Sequence, residues 1–218
     1  MKTDEITIQV DNDISLKGNL TVPSGANALV IFSHESESSR LSHKNKEVAE
    51  ILNKEKIATL LTDLLTEKEN ASYENSFDTD LLAAHLVKIT NYVMQIPNLK
   101  NLKIGYFGAA TGSGAALKAA SHKDASIQAI VSRGGRPNLS EEDLTKVKAP
   151  TLLIVGSLDD ELIEFNQWAY KALQCEKKME VIEGASHLLE EPGKLEEVAK
   201  LTANWFVKHL HPNPLLTA

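Results

Sequence analysis

At 218 residues, 42% of them hydrophobic, the chain can bury one substantial core and is expected to form a single domain over 1–218. A formal net charge of −7, a pI near 5.5 and the lack of any Lys/Arg block argue against a nucleic-acid partner. One cysteine excludes an internal disulfide, Met1 to Glu5 lacks an apolar signal core, and no apolar run nears the ~20 residues of a membrane span, so a cytoplasmic monomer or homodimer with no membrane partner is expected.

Alternation in Glu5 to Val10 and Ile14 to Val22, around Asp11-Asn12-Asp13, predicts an opening antiparallel hairpin. After Pro23-Ser24-Gly25 the pattern changes. Apolar strands are predicted at Ala28 to Phe32, Ile57 to Leu61, Lys103 to Phe107, Ile127 to Val131, Pro150 to Val155 and Glu180 to Ile182. Helical patterns alternate with them at Lys44 to Lys54, Phe77 to Met94, Gly112 to Ser121, Glu161 to Leu173 and Lys194 to Leu210. This βα rhythm implies an α/β fold: a mostly parallel, doubly wound sheet with helices on both faces. Thr66 to Ser76 reads as a solvated polar connection, with a partial lid as the alternative. Trp168 and Trp205 are expected to pack, and Pro212 and Pro214 stop the last helix because proline lacks the N–H it needs.

Gly108-Ala109-Ala110-Thr111-Gly112 follows directly on the strand pattern that ends at Phe107. It has the form of a G-x-S-x-G nucleophile elbow with alanine at its centre. In such an elbow, small flanking residues let the chain turn sharply from strand to helix and lift a hydroxyl over the sheet. Here the turn is expected without the hydroxyl. Asp159 follows the run Thr151 to Val155, and His187 follows Val181-Ile182 through Glu183-Gly184-Ala185-Ser186. Taken singly, a small-residue turn, an aspartate and a histidine are commonly a tight connection, a cap and a solvated loop residue. Taken together, each just past a strand, they follow the Ser…Asp…His order of the α/β-hydrolases.

The sequence resembles the dienelactone-hydrolase-like branch of the α/β-hydrolases, a branch that includes domains fused to phosphoribosyltransferases. The resemblance runs through Val30 to His34, Ser38-Ser39-Arg40, Ala58 to Leu65, the elbow, Ser132-Arg133-Gly134-Gly135-Arg136-Pro137 and Gly184 to Gly193. It implies the α/β-hydrolase fold and a small-molecule ester or lactone as ligand, cleaved by relatives through an acyl-enzyme. No cofactor and no metal are expected. It also implies Asp159, rather than Asp160, as the acid, and an oxyanion hole at the Thr111 amide and an amide near Glu35 or Ser36. His34, Glu37, Arg133 and Arg136 are the residues expected around the pocket. The two arginines are candidates to hold an anionic group or, alternatively, to pin their own loop.

The departures fall on the active centre. Where the family reads His-Gly-Ser-Gly-Ser-Ser-Arg, this chain reads His34-Glu35-Ser36-Glu37-Ser38-Ser39-Arg40, and the elbow serine is Ala110. A carboxylate about 4 Å from a developing oxyanion repels it by about 4 kcal/mol at an effective dielectric near 20, enough to cancel one oxyanion donor. Loss of the nucleophile is the larger effect, because a Ser-His-Asp set works as a unit. Ser113 lies a helical turn's distance from the elbow centre, Thr111 serves through its amide, and Cys175 reads as structural, so none replaces it. The expectation is a serine esterase or lactonase scaffold with little ordinary hydrolase activity, a pattern fitting an engineered nucleophile knockout. The alternative is a redesigned or natural pseudo-hydrolase that binds a small ligand, or that uses Glu35 or Glu37 with His187 as general base.

Overall fold

The alternating N-terminus becomes a hairpin because one face of it is buried: β1 (Thr3–Asp11) pairs antiparallel with β2 (Ile14–Thr21), placing Ile8 opposite Leu16. The computed structural model describes residues 2–34, 40–122, 126–136 and 141–211. β2 also pairs antiparallel with β4 (Ile57–Thr62). The remaining strands run parallel: β3 (Ala28–Ser33), β5 (Lys103–Ala109), β6 (Ile127–Arg133), β7 (Thr151–Gly156) and β8 (Lys177–Ile182) join β4 in the spatial order β1-β2-β4-β3-β5-β6-β7-β8.

Every residue of β3, β4 and β7 is buried, which requires a cover on both faces of the sheet. Successive side chains point to opposite faces, so β3 divides itself between two cores. Leu29 and Ile31 join a cluster with α3 (Thr79–Val93), α4 (Thr111–Ser121) and α6 (Asp160–Ala172). Val30 and Phe32 join the other, with α1 (His43–Lys54) and α7 (Lys194–Leu210). There the rings of Phe32 and Phe107 meet at 4.8 Å between centroids, worth about 0.5–1.5 kcal/mol beyond the area they bury.

Since β3 lies between β4 and β5, the chain leaves β3 in one direction and later returns past it to form β5. Sites in open α/β sheets form at the carboxyl ends of strands flanking such a reversal. The carboxyl ends in question carry Ser33-His34 and the turn at Ala110.

The structure departs from the sequence expectations in four places. The connection after β4 holds a short helix, α2 (Glu67–Asn70), and a 3₁₀ turn at Tyr73–Phe77, because Thr66 and Glu69 cap one another reciprocally. α3 starts at Thr79 rather than Phe77, since the Asp78 carboxylate accepts the N–H groups of Asp80 and Leu81, both at 3.0 Å. A further helix, α5 (Glu141–Lys146), precedes β7. Trp205 packs, but Trp168 is 42% exposed: the buried positions of α6 are Leu162, Asn166, Ala169 and Ala172, and residue 168 lies ~100° off that row. Among the described residues no helix is long and apolar enough to cross a membrane.

Candidate active site

One residue makes the turn from β5 to α4. Ala110 stands between them with φ 48° and ψ −123°, a conformation that costs a residue with a Cβ about 1–3 kcal/mol. Its N–H donates to the Arg133 carbonyl at 3.2 Å, and its own carbonyl accepts the Ser113 N–H at 3.0 Å. The flanking glycines hold the corner together by close approach. A Cβ on Gly112 would stand 2.3 Å from the Ser33 carbonyl oxygen, and one on Gly108 2.5 Å from the Ser113 Cα. The Ser33 hydroxyl donates to the Gly112 carbonyl at 2.8 Å, which fixes the start of α4 against the end of β3.

Asp159 and His187 arrive from two loops that are stitched to one another. Ser157 and Leu158 donate their N–H groups to the carbonyls of Ile182 and Ala185, both at 3.0 Å, and the Ser157 hydroxyl accepts the Gly184 N–H at 2.8 Å. Gly156 permits this stitching, because a Cβ there would lie 2.3 Å from the Ala185 carbonyl oxygen. At the end of the stitch Asp159 Oδ1 caps α6 by accepting the Leu162 N–H at 3.1 Å, while Oδ2 lies 3.7 Å from His187 Nδ1. That spacing is too long for a hydrogen bond. Asp160 begins α6 and is exposed.

The imidazole of His187 is 42% exposed. Its loop is tethered by Lys44, which donates to the Leu188 carbonyl at 2.9 Å and pairs with Glu190 at 2.8 Å. The Ser186 N–H donates to Glu191, and that bond holds the Glu191 carboxyl below its usual range. Gly134, at φ 54°, lies between this loop and the elbow. A Cβ on it would stand 3.6 Å from His187 Cε1 and Nδ1, and the preceding residue, Arg133, receives the Ala110 N–H.

The other expected site residues distribute as follows. Thr111 opens α4, and its amide precedes the first one bonded back along the helix, Ser113 N–H to the Ala110 carbonyl, so that it favours a negatively charged oxygen. His34 is buried beside the elbow, its Cα 2.7 Å from where a Gly112 Cβ would be. The guanidinium of Arg133 lies 5.9 Å from the centroid of Phe107, and exposed Arg136 pairs with Glu161 at 3.3 Å. Glu35, Ser36 and Glu37 lie outside the described residues. Ser113 is fully buried against Gly135. Burial pushes the Cys175 thiol above its ordinary range, and its Sγ lies 3.7 Å from Thr151 Oγ1. Sequence reasoning missed the stitched loops; the signal available was the glycine of Gly156-x-x-Asp159, which marks a close backbone approach.

No family model matches the chain. It is 45% identical over 210 residues to two Mycobacterium tuberculosis sequences provisionally named phosphoribosyl transferases, and spans only 47% of their length. It superposes on a dienelactone hydrolase of Anabaena variabilis with a TM-score of 0.92 at 46% identity, covering 96% of this chain and 99% of that one. The Est1E protein of Butyrivibrio proteoclasticus shares the fold at a TM-score of 0.79 and 16% identity, over 94% of this chain and 98% of that one. With the elbow turn, the loop-borne aspartate and histidine, and a near full-length relative at this identity, the chain belongs to the dienelactone-hydrolase family of α/β-hydrolases.

Proposed function

We propose that this chain is a serine-hydrolase scaffold that binds a small carboxylic ester or lactone at the carboxyl edge of its sheet and turns it over slowly or not at all. Ala110 occupies the nucleophile's place, Asp159 and His187 are the acid and base of the set, and the Thr111 amide supplies one oxyanion donor. The observation that carries the reading is Ala110 itself: a strained corner, φ 48°, that ends in a methyl group. A backbone held at this cost has a use when the side chain on it reacts, and a methyl group cannot attack a carbonyl.

Each remaining part would still bind. The start of α4 offers amides and the positive end of its dipole to a carbonyl oxygen, and the exposed His187 is within reach of solvent and ligand. The test is hydrolysis of p-nitrophenyl acetate by the chain and by Ala110→Ser. The expected outcome is a gain of at least roughly a hundredfold in kcat/KM for the serine variant, a small part of what a complete triad supplies. If both are silent, glycine at positions 35 and 37 in the serine background is the next measurement. Activity gained there assigns the block to Glu35 and Glu37, and continued silence contradicts the reading of Ala110.

A further inference from the structure

At the opposite edge of the sheet a cleft of about 610 Å³ opens where α4 ends, β6 begins and the chain runs from α5 into β7. Ile127 is the first residue of β6 and Arg133 its last, so the cleft lies roughly 20 Å from the elbow across the sheet. Its size falls within the range of small-ligand sites. The floor is apolar, from Ala120, Ile127 and Ala149, and a second cavity of about 290 Å³ adjoins it through His122 and Ile127.

Among the described residues the lining carries Lys118, Lys146 and Lys148 and one carboxylate, Asp143. Asp80 and Glu142 lie just outside the lining and pair with two of these lysines, so any site for an anion falls to the amines that are weakly held or unpaired. The three amines are not equivalent. Lys118 is spoken for, held between Asp80 at 2.5 Å and Asp143 at 3.7 Å. Lys146 pairs with Glu142 one turn away on the surface, at 2.7 Å, an interaction weak enough to be exchanged, and Asp143 attracts it more weakly. Lys148 is exposed and has no ion pair among the described residues.

We propose that this cleft binds a small organic anion, its apolar body on Ile127 and Ala149 and its carboxylate, sulfonate or phosphate group between Lys146 and Lys148. The inference is independent of what happens at Ala110. The probe is anilinonaphthalene sulfonate, whose fused rings and single sulfonate have this chemistry, titrated into the full chain and followed by fluorescence and by amide ¹H–¹⁵N shifts. Saturable binding that shifts the amides of Ala120, His122, Ile127 and Ala149, and that weakens as salt is added, is the expected result. Lys146→Glu with Lys148→Glu should weaken it at least about tenfold and remove its salt dependence. Thr145→Trp, which fills the cleft and leaves every charge in place, should block it too. Shifts confined to Ala110, Gly134 and His187, an affinity unchanged in both variants, or no saturable binding would each overturn the proposal.

Discussion

Ala110 is the one residue whose backbone and side chain point to different uses. Its φ of 48° and ψ of −123° suit glycine, so Ala110→Gly should depart from the usual penalty for glycine. Relief of about 1–3 kcal/mol of strain outweighs the ~0.5–1 kcal/mol of added chain entropy, and urea denaturation should show an unchanged or raised stability. A loss above about 1 kcal/mol would mean that the corner is not strained. Asp159 separates differently, because its two oxygens face different partners: Oδ1 the Leu162 amide and Oδ2 His187. Asp159→Ala should cost about 1 kcal/mol by loss of the α6 cap. Asp159→Asn keeps an oxygen for the cap and should be nearly neutral in stability, yet in the Ala110→Ser background it should lower esterase kcat strongly by unsettling the His187 tautomer.

Between residues and fold stand the loops, and there glycine decides. Gly156→Ala would set a methyl group against the Ala185 backbone at 2.3 Å and push the histidine loop away from the acid loop. Stability should fall by about 3 kcal/mol or more, and esterase activity in the serine background should fall further than stability alone explains. The strands and long helices were legible because burial on two faces writes apolar runs and helical periodicity into β3, β5 and α7. α2 and the 3₁₀ turn were not, since neither has a buried apolar stripe, although Thr66-x-x-Glu69 held the capping signal. That Ala110, Asp159 and His187 each follow a strand was legible from the apolar runs before them; the joining of their loops through Gly156 and Gly134 was not, because it is made by backbone groups that no side-chain pattern records. The last helix adds a pH effect. His209 packs on Trp205 at 4.4 Å between centroids, and burial lowers its pKa below 6.5 against the opposing pull of Glu176. A lowered histidine pKa leaves the unfolded chain binding the extra proton, so its contribution is complete above pH 6.5 and is lost as pH falls toward the folded value. Urea midpoints should therefore drop less steeply below pH 6.5 in His209→Gln than in the parent chain.

Across the whole molecule the sheet separates two kinds of surface. Its carboxyl edge, at the strand reversal beside β3, carries the elbow and the two stitched loops; its amino edge carries the lysine-rimmed cleft. Two cores, one on each face, hold these edges apart, so a change at one should leave the other's geometry intact. Substituting Lys146 and Lys148 should thus leave p-nitrophenyl acetate turnover by the Ala110→Ser variant within about twofold. Position 110 is the proposed place of a nucleophile at the carboxyl edge. Intact-mass measurement after exposure to a fluorophosphonate tests it directly. The Ala110→Ser protein should gain one adduct, located on residue 110, while the parent chain gains none. An adduct on residue 110's neighbours in the parent chain, or none on the serine variant even with glycine at positions 35 and 37, would contradict this placement of the nucleophile.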